Sequence, residues 1–141
     1  MRKTSILTAL CLVLALILPR TLDAQVIVDA KKAWTKTKIA VAIDDKVKIQ
    51  AAGTITLDPN VTCGADGLKI VSGPEHVLMK NVNRGALIAK IGKKGIPFHL
   101  GANGQFIAAT AGLLYFGVND DAVKNNSGTF NLNITINGVA K

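Results

Sequence analysis

The last long apolar stretch of the chain alternates without a break. Phe130, Leu132, Ile134 and Ile136 are apolar, and Asn131, Asn133, Thr135 and Asn137 between and after them are polar. Successive side chains of a β-strand point to opposite faces, so a period of two describes one buried face and one wet face. A helix would scatter the same residues around its axis. Such a strand needs partners, and the rest of the chain offers them. Lys46-Val47-Lys48-Ile49-Gln50-Ala51 alternates in the same way, with Val47, Ile49 and Ala51 on one face and the lysines outward. Further short apolar runs are Ile39–Ile43, Thr54–Leu57, Ala86–Ile91, Phe98–Leu100, Phe106–Ala109 and Leu113–Val118. Turn signals separate them at Asp44-Asp45, Gly92-Lys93-Lys94-Gly95 and Gly101-Ala102-Asn103-Gly104. Residues 58–84, punctuated by Pro59, Gly64, Gly67, Gly73 and Pro74, read as loop. Short strands, frequent turns and no helical period predict an all-β chain, an antiparallel β-sandwich or barrel with apolar inner faces. Trp34, beside Ala33, reads as a packing anchor.

The beginning of the chain has a different character. Arg2 and Lys3 precede an apolar run, Ile6–Leu18, which Pro19 interrupts and Leu22-Asp23-Ala24 follows. A positive start, an apolar middle and a small residue at the end are the pattern of a secretory signal peptide, here residues 1–24 with cleavage after Ala24. The apolar run falls short of the roughly 20 residues that a membrane-spanning helix needs. Residues 25–141 are then expected as a single domain without a membrane span, secreted or periplasmic. That segment holds one cysteine, Cys63, so no intrachain disulfide can form within it. Cys63 reads as a small, half-buried residue rather than a nucleophile. The whole chain carries a net charge of +8, yet its lysines are scattered, several alternate with apolar residues, and aromatics make up only 4%. This is a solvated surface and not a nucleic-acid reader.

Chemistry-bearing residues concentrate in one place. Asn119-Asp120-Asp121 and Asn125-Asn126-Ser127-Gly128 lie between the run that ends at Val118 and the final strand. Calcium is a hard cation that takes roughly 6–8 oxygen ligands from carboxylates, amide side chains and backbone carbonyls. Asp120 offers charge, and Asn125 and Asn126 offer neutral oxygens. The same residue types also dominate turns for backbone reasons, so a plain polar hairpin loop is the other reading. An EF-hand is excluded, because its loop ends in a bidentate glutamate and the only glutamate is Glu75. The two histidines, His76 and His99, form no zinc spacing with Cys63, and His99 reads as a strand residue. Nothing resembles a nucleophile elbow. Asp120 and Asp121 are neighbours and point to opposite faces of an extended chain, which does not suit a glycosidase pair. Gly92-Lys93-Lys94-Gly95 lacks the spacing of a phosphate loop. The chain is not read as an enzyme.

Taken in order, Asp45–Gly53, Gly85-Ala86-Leu87-Ile88-Ala89-Lys90-Ile91-Gly92, Gly112-Leu113-Leu114-Tyr115, Asn119-Asp120 and Asn125-Asn126-Ser127-Gly128-Thr129-Phe130 resemble the calcium-dependent galactophilic bacterial lectins of the PA-IL-like, or LecA-like, family. The resemblance spans about residues 33–137. It implies a galactose-binding-domain-like antiparallel β-sandwich with one Ca2+ at its end, completed by vicinal sugar hydroxyls. Carried over by motif, Asp120, Asn125 and Asn126 would be side-chain ligands, and Leu57 would give its backbone carbonyl. Asp120 and Asn125 would also hydrogen-bond the sugar. A further carbonyl would come from Val123 or Lys124. The family implies a carbohydrate partner, a galactoside or glycan, and assembly into homo-oligomers. The chain departs from the family in three ways. Its loop between Asp120 and Asn125 is two residues shorter, and Lys124 sets a positive charge beside the cation position. The family's sugar-contacting His-Pro-x-Gln segment has no counterpart, with Glu75-His76 an unconvincing replacement. The expected function is therefore a secreted calcium-dependent carbohydrate-binding protein; the alternative is a non-catalytic extracytoplasmic interaction or adhesion module that has lost the sugar site.

Overall fold

The computed structural model of the protein describes residues 19–58, 60–69 and 76–139. The apolar run Ile6–Leu18, together with Pro59, Gly73, Pro74 and Glu75, lies outside the described residues. Among the described residues ten strands follow one another: β1 (Pro19–Asp29), β2 (Thr35–Val41), β3 (Lys46–Ala52), β4 (Ile55–Leu57), β5 (Val61–Cys63), β6 (Leu87–Ile91), β7 (Phe98–His99), β8 (Asn103–Ile107), β9 (Gly112–Val118) and β10 (Ser127–Val139). A 3-10 turn, η1 (Val123–Asn125), leads into the last of them. They form two sheets. One has the order β5-β4-β10-β3-β8 with β1 also on β10; the other runs β2-β9-β6-β7. Every strand pair is antiparallel. The chain is all-β, as its alternation predicts.

β10 organises the larger sheet. Its residues 131–137 pair with β3 and its residues 129–139 pair with β1, so the two partners occupy its opposite edges. Phe130, Leu132, Ile134 and Ile136 are buried, whereas Asn131, Asn133 and Asn137 are exposed. The register sets Ile134 opposite Ile49 and Ile136 opposite Val47, both buried. The smaller sheet turns Leu87, Ala89, Leu114, Phe116 and Val118 onto the same core. Each large side chain buried in this way contributes roughly 1.5–3 kcal/mol over its exposed state. A one-residue slip of β10 would expose its whole apolar set, so this register is strongly specified.

Trp34 is half-buried and lies under the ammonium of Lys90, whose Nζ is 4.3 Å from the ring centroid. Gly117 makes this possible: a Cβ there would sit 2.7 Å from the Ala33 carbonyl oxygen and 3.0 Å from the Trp34 ring. Trp34 is thus seated against Gly117 and Lys90, outside the core cluster.

Four stretches adopt a local structure other than the expected one. Of the run expected at Ile39–Ile43, only Ile39–Val41 is strand, the end of a longer strand that starts at Thr35, with an irregularity between Lys36 and Ala40; Ile43 is exposed. Asn103-Gly104, read as part of a turn, enters β8, because Gln50 and Ile49 of β3 pair with them. The stretch 58–84 contains β5 and an isolated bridge from Leu68 to Arg84. At the other end of the chain, Pro19–Ala24, expected within the leader, form the first half of β1 opposite Ile134–Val139. Thr21, Leu22 and Asp23 in that half are exposed, and full burial starts only at Val28.

Candidate functional site

One end of the sandwich is built where β9 stops. The ladder between β6 and β9 continues past both strands: the Asn119 N–H donates to the Ala86 carbonyl at 2.9 Å, and the Gly85 N–H donates to the Asn119 carbonyl at 3.0 Å. Gly85 adopts φ 82°, and a Cβ on it would meet Cys63 Sγ at 2.6 Å and Leu57 Cδ1 at 2.8 Å. Only glycine fits both the conformation and the space. The segment before it, residues 78–83, is tied down by the Asn119 side chain. Asn119 Oδ1 accepts from the backbone N–H groups of Leu78 (3.0 Å) and Met79 (2.8 Å). Its Nδ2 donates to the carbonyls of Met79 (3.1 Å), Val82 (3.0 Å) and Asn83 (3.2 Å). Asn119, counted in the sequence among the loop's oxygen donors, is a fully buried bracket for a neighbouring loop.

Asp120, the next residue, is also buried. Its Oδ1 accepts from the Ala122 N–H at 2.9 Å. Its Oδ2 accepts from the Arg84 guanidinium (Nη2) at 3.3 Å and from Asn126 Nδ2 at 3.1 Å. A carboxylate with no exposed surface needs such donors, since burying an unpaired charge costs several kcal/mol. Asn126 is buried as well, and its Nδ2 also reaches the Ala30 carbonyl at 3.3 Å. Two acceptors fix the orientation of that amide. Asn126 Oδ1 is consequently left buried without a donor.

Arg84 spans the site. Its Nη1 donates to the Asp58 carbonyl at 3.1 Å while Nη2 reaches Asp120, and its Nε is buried without an acceptor. The side chain retains 21% exposure. Asp58 directly follows Leu57, the last residue of β4, whose carbonyl accepts from the Asn60 N–H at 2.8 Å. The structure therefore brings Asp120 and Asn126 into direct contact, puts Asn125 on the exposed surface of the same loop, and sets Leu57 at the neighbouring strand end. Lys124 is exposed, so its charge is solvated.

His76 and Asp121 form the outer rim. His76 Nδ1 lies 3.1 Å from Asp121 Oδ1, and the Asp121 N–H donates to the His76 carbonyl at 3.3 Å. Both are about half exposed, and His76 holds φ 65°. The histidine set aside in the sequence thus stands beside the loop. Cys63 lies on the other side, buried, with its thiol pushed up from its ordinary value by desolvation; Arg84 lowers it and Asp120 raises it, to smaller extents.

Asp120 and Asn126 were legible as oxygen donors in a loop. Arg84, Asn119 and His76 act through contacts 36 to 45 residues away in sequence. One signal for Arg84 was available: it is the only arginine after residue 24 in a chain that otherwise uses lysine.

Among the described residues no three His, Cys, Asp or Glu side chains gather as a metal site, so a cation here would rest on one carboxylate and neutral oxygens. Set against calcium, the donor set has one feature in favour: Asn126 Oδ1, a buried acceptor that lacks a donor. It has one feature to overcome, the guanidinium already on Asp120.

No protein-family model matches the chain, and no curated protein does. Among solved structures, the chain is similar in fold to the EclA N-terminal domain, described as a PllA-like lectin. The TM-score is 0.62 and the identity 20%, over 79% of this chain and 94% of that one. The likeness is one of fold: an antiparallel β-sandwich also used by a lectin domain.

Proposed function

We propose that the protein is a lectin-like carbohydrate-binding module whose glycan site is the sandwich end around Asp120. The observation that carries this reading is the polar cluster itself. A buried carboxylate and a buried carboxamide, Asp120 and Asn126, back an exposed rim of His76, Asp121 and Asn125. Such a rim presents donors and acceptors at fixed spacing, which suits the hydroxyls of a sugar. The name of the structural neighbour, a PllA-like lectin, supports the same class.

Calcium belongs to this proposal. Asp120, Asn125 and Asn126 with the Leu57 carbonyl would hold it, and the bound ion would anchor two vicinal hydroxyls of a galactoside. Asp120 and Asn125 would orient those hydroxyls. Export belongs to it too, through cleavage after Ala24. That cut would take away the less buried half of β1 and leave Gln25–Asp29 paired with Thr129–Asn133. No helix among the described residues is long and apolar enough to cross a membrane.

The test is calorimetric titration of the protein with galactosides and with a glycan panel, in calcium and in chelator. Saturable binding that Asp120→Ala abolishes is the expected result. A folded protein that binds no glycan in either condition would overturn the reading. The second reading is a non-catalytic interaction module without a sugar site, and the guanidinium on Asp120 favours it. That reading gives the same fold and no glycan signal.

A further inference from the structure

We infer that Arg84 is the resident cation of this sandwich end, and that a divalent cation enters only by displacing its guanidinium from Asp120. The inference rests on the reading of this end as the binding site, and adds to it the residue that controls cation access. Four observations support it. First, Asp120 has no exposed surface, so its charge requires a cation nearby, and Arg84 supplies it at 3.3 Å. Second, the guanidinium bridges Asp120 to the Asp58 carbonyl. The two elements it joins, the end of β4 and the loop after β9, are those that would contribute Leu57 and Asp120 to a metal. Arg84 and calcium therefore compete for the same place. Third, neither side of the arrangement is saturated: Arg84 Nε lacks an acceptor and Asn126 Oδ1 lacks a donor. A cation in place of the guanidinium would gain that oxygen through a turn of the Asn126 amide, whose Nδ2 now faces Asp120 Oδ2, and an Arg84 side chain turned to water would regain its hydration.

Fourth, the side chain can leave without moving its backbone. The Leu68 N–H donates to the Arg84 carbonyl at 2.7 Å, and the Asn119 bracket holds Val82 and Asn83. Gly85 continues the β6–β9 ladder on the other side. The side chain is already 21% exposed, so part of it meets water in place. Like charges close together in a poorly solvated site repel strongly, which makes simultaneous occupancy by calcium and guanidinium unfavourable.

Titration with calcium chloride alone, in the absence of any sugar, tests the exchange by calorimetry and by the shift in melting midpoint. Arg84→Met should bind calcium at least tenfold more tightly than the natural protein, and Arg84→Met with Asp120→Asn should lose that gain. Arg84→Gln, which keeps an N–H donor for the Asp58 carbonyl, should show the same gain and serves if the methionine variant does not fold. Equal calcium affinity in the natural protein and the folded Arg84 variants overturns the inference, as does no calcium binding in either variant. Glycan binding by the natural protein in chelator is scored separately. The carbohydrate reading can thus stand while the cation exchange fails, or fail while it stands.

Discussion

Asn119 grips Met79 from both sides of its backbone, accepting the Met79 N–H at 2.8 Å and donating to the Met79 carbonyl at 3.1 Å. A single carboxamide thereby imitates the pairing of a β-strand and does so for a segment that forms no strand of its own. Three further bonds, from Leu78 and to Val82 and Asn83, complete the bracket. Asn119→Ala would leave two N–H groups and three carbonyls to find new partners around a buried position. Each buried orphan costs about 1–3 kcal/mol, partly recovered where the loop opens to water, so a loss of roughly 3 kcal/mol is expected. Urea denaturation measures the loss. Hydrogen exchange should localise it to residues 78–83 at conditions where β10 stays protected. Uniform loss of protection across both sheets would show that the bracket is not local.

The pair of Asp120 and Arg84 gives a second prediction. Removing one partner of a buried pair typically costs about 3–5 kcal/mol. Arg84 is partly exposed, which reduces the figure. Arg84→Met is therefore expected to cost about 2 kcal/mol, because Asp120 stays buried behind it. Asp120→Asn should cost less, since Arg84 can turn to solvent. In the double variant the losses should fall short of their sum by about 1 kcal/mol or more, the mark of direct coupling. Additive losses in a double-mutant cycle would mean that the pair contributes nothing as a pair.

Gly85 holds the β6 entry against Cys63 and Leu57. With φ 82° and a Cβ position 2.6 Å from Cys63 Sγ, Gly85→Ala suffers both backbone strain and overpacking. Together these are expected to cost roughly 2–4 kcal/mol. Cys63→Ala in the same chain removes the nearest clash and should restore part of the loss, although Leu57 Cδ1 at 2.8 Å remains. Thermal melts of the two single variants and the double decide it: a double variant no more stable than Gly85→Ala would rule out the sulfur as the obstacle.

The parts of this fold that the sequence discloses are those where one residue type repeats against one surface. β10 alternates because it has a core on one side and water on the other, and its buried and exposed residues fall where the pattern puts them. β5 leaves no mark in the sequence because Val61-Thr62-Cys63 is three residues long and owes its state to pairing with Ile55–Leu57. Asn103-Gly104 reads as turn for a related reason: turn-forming residues become strand when β3 lies alongside. Tertiary context overrides local preference in both cases. At the site, Asp120 and Asn126 could be found because oxygen-rich loops are visible locally. Asn119 could not be separated from its neighbours, since a bracket is defined by the carbonyls it reaches. Arg84 and His76 depend on a chain reversal between residues 76 and 121 that no local pattern encodes.

Cys63 carries the pH prediction. Burial pushes its thiol above the ordinary value of 9.0, with Asp120 adding to the rise and Arg84 opposing it. In the folded chain the thiol therefore keeps its proton at pH values where an unfolded chain has lost it. The sign follows from linkage: a group whose pKa is raised by folding stabilises fully below its unfolded pKa, and that contribution declines as pH rises above it. Stability should thus fall as pH climbs from 9.0, the ordinary thiol value, through the raised value of the native state. Cys63→Ala should flatten this part of the curve while lowering stability modestly at neutral pH, because a small buried side chain is lost. The same protonated, buried thiol should resist alkylation in the native protein and react readily in urea, since the thiolate is the nucleophile. Urea melts from pH 7 to 10 of the natural protein and of Cys63→Ala make the comparison. A fall of equal steepness in both would show that the thiol is not its cause.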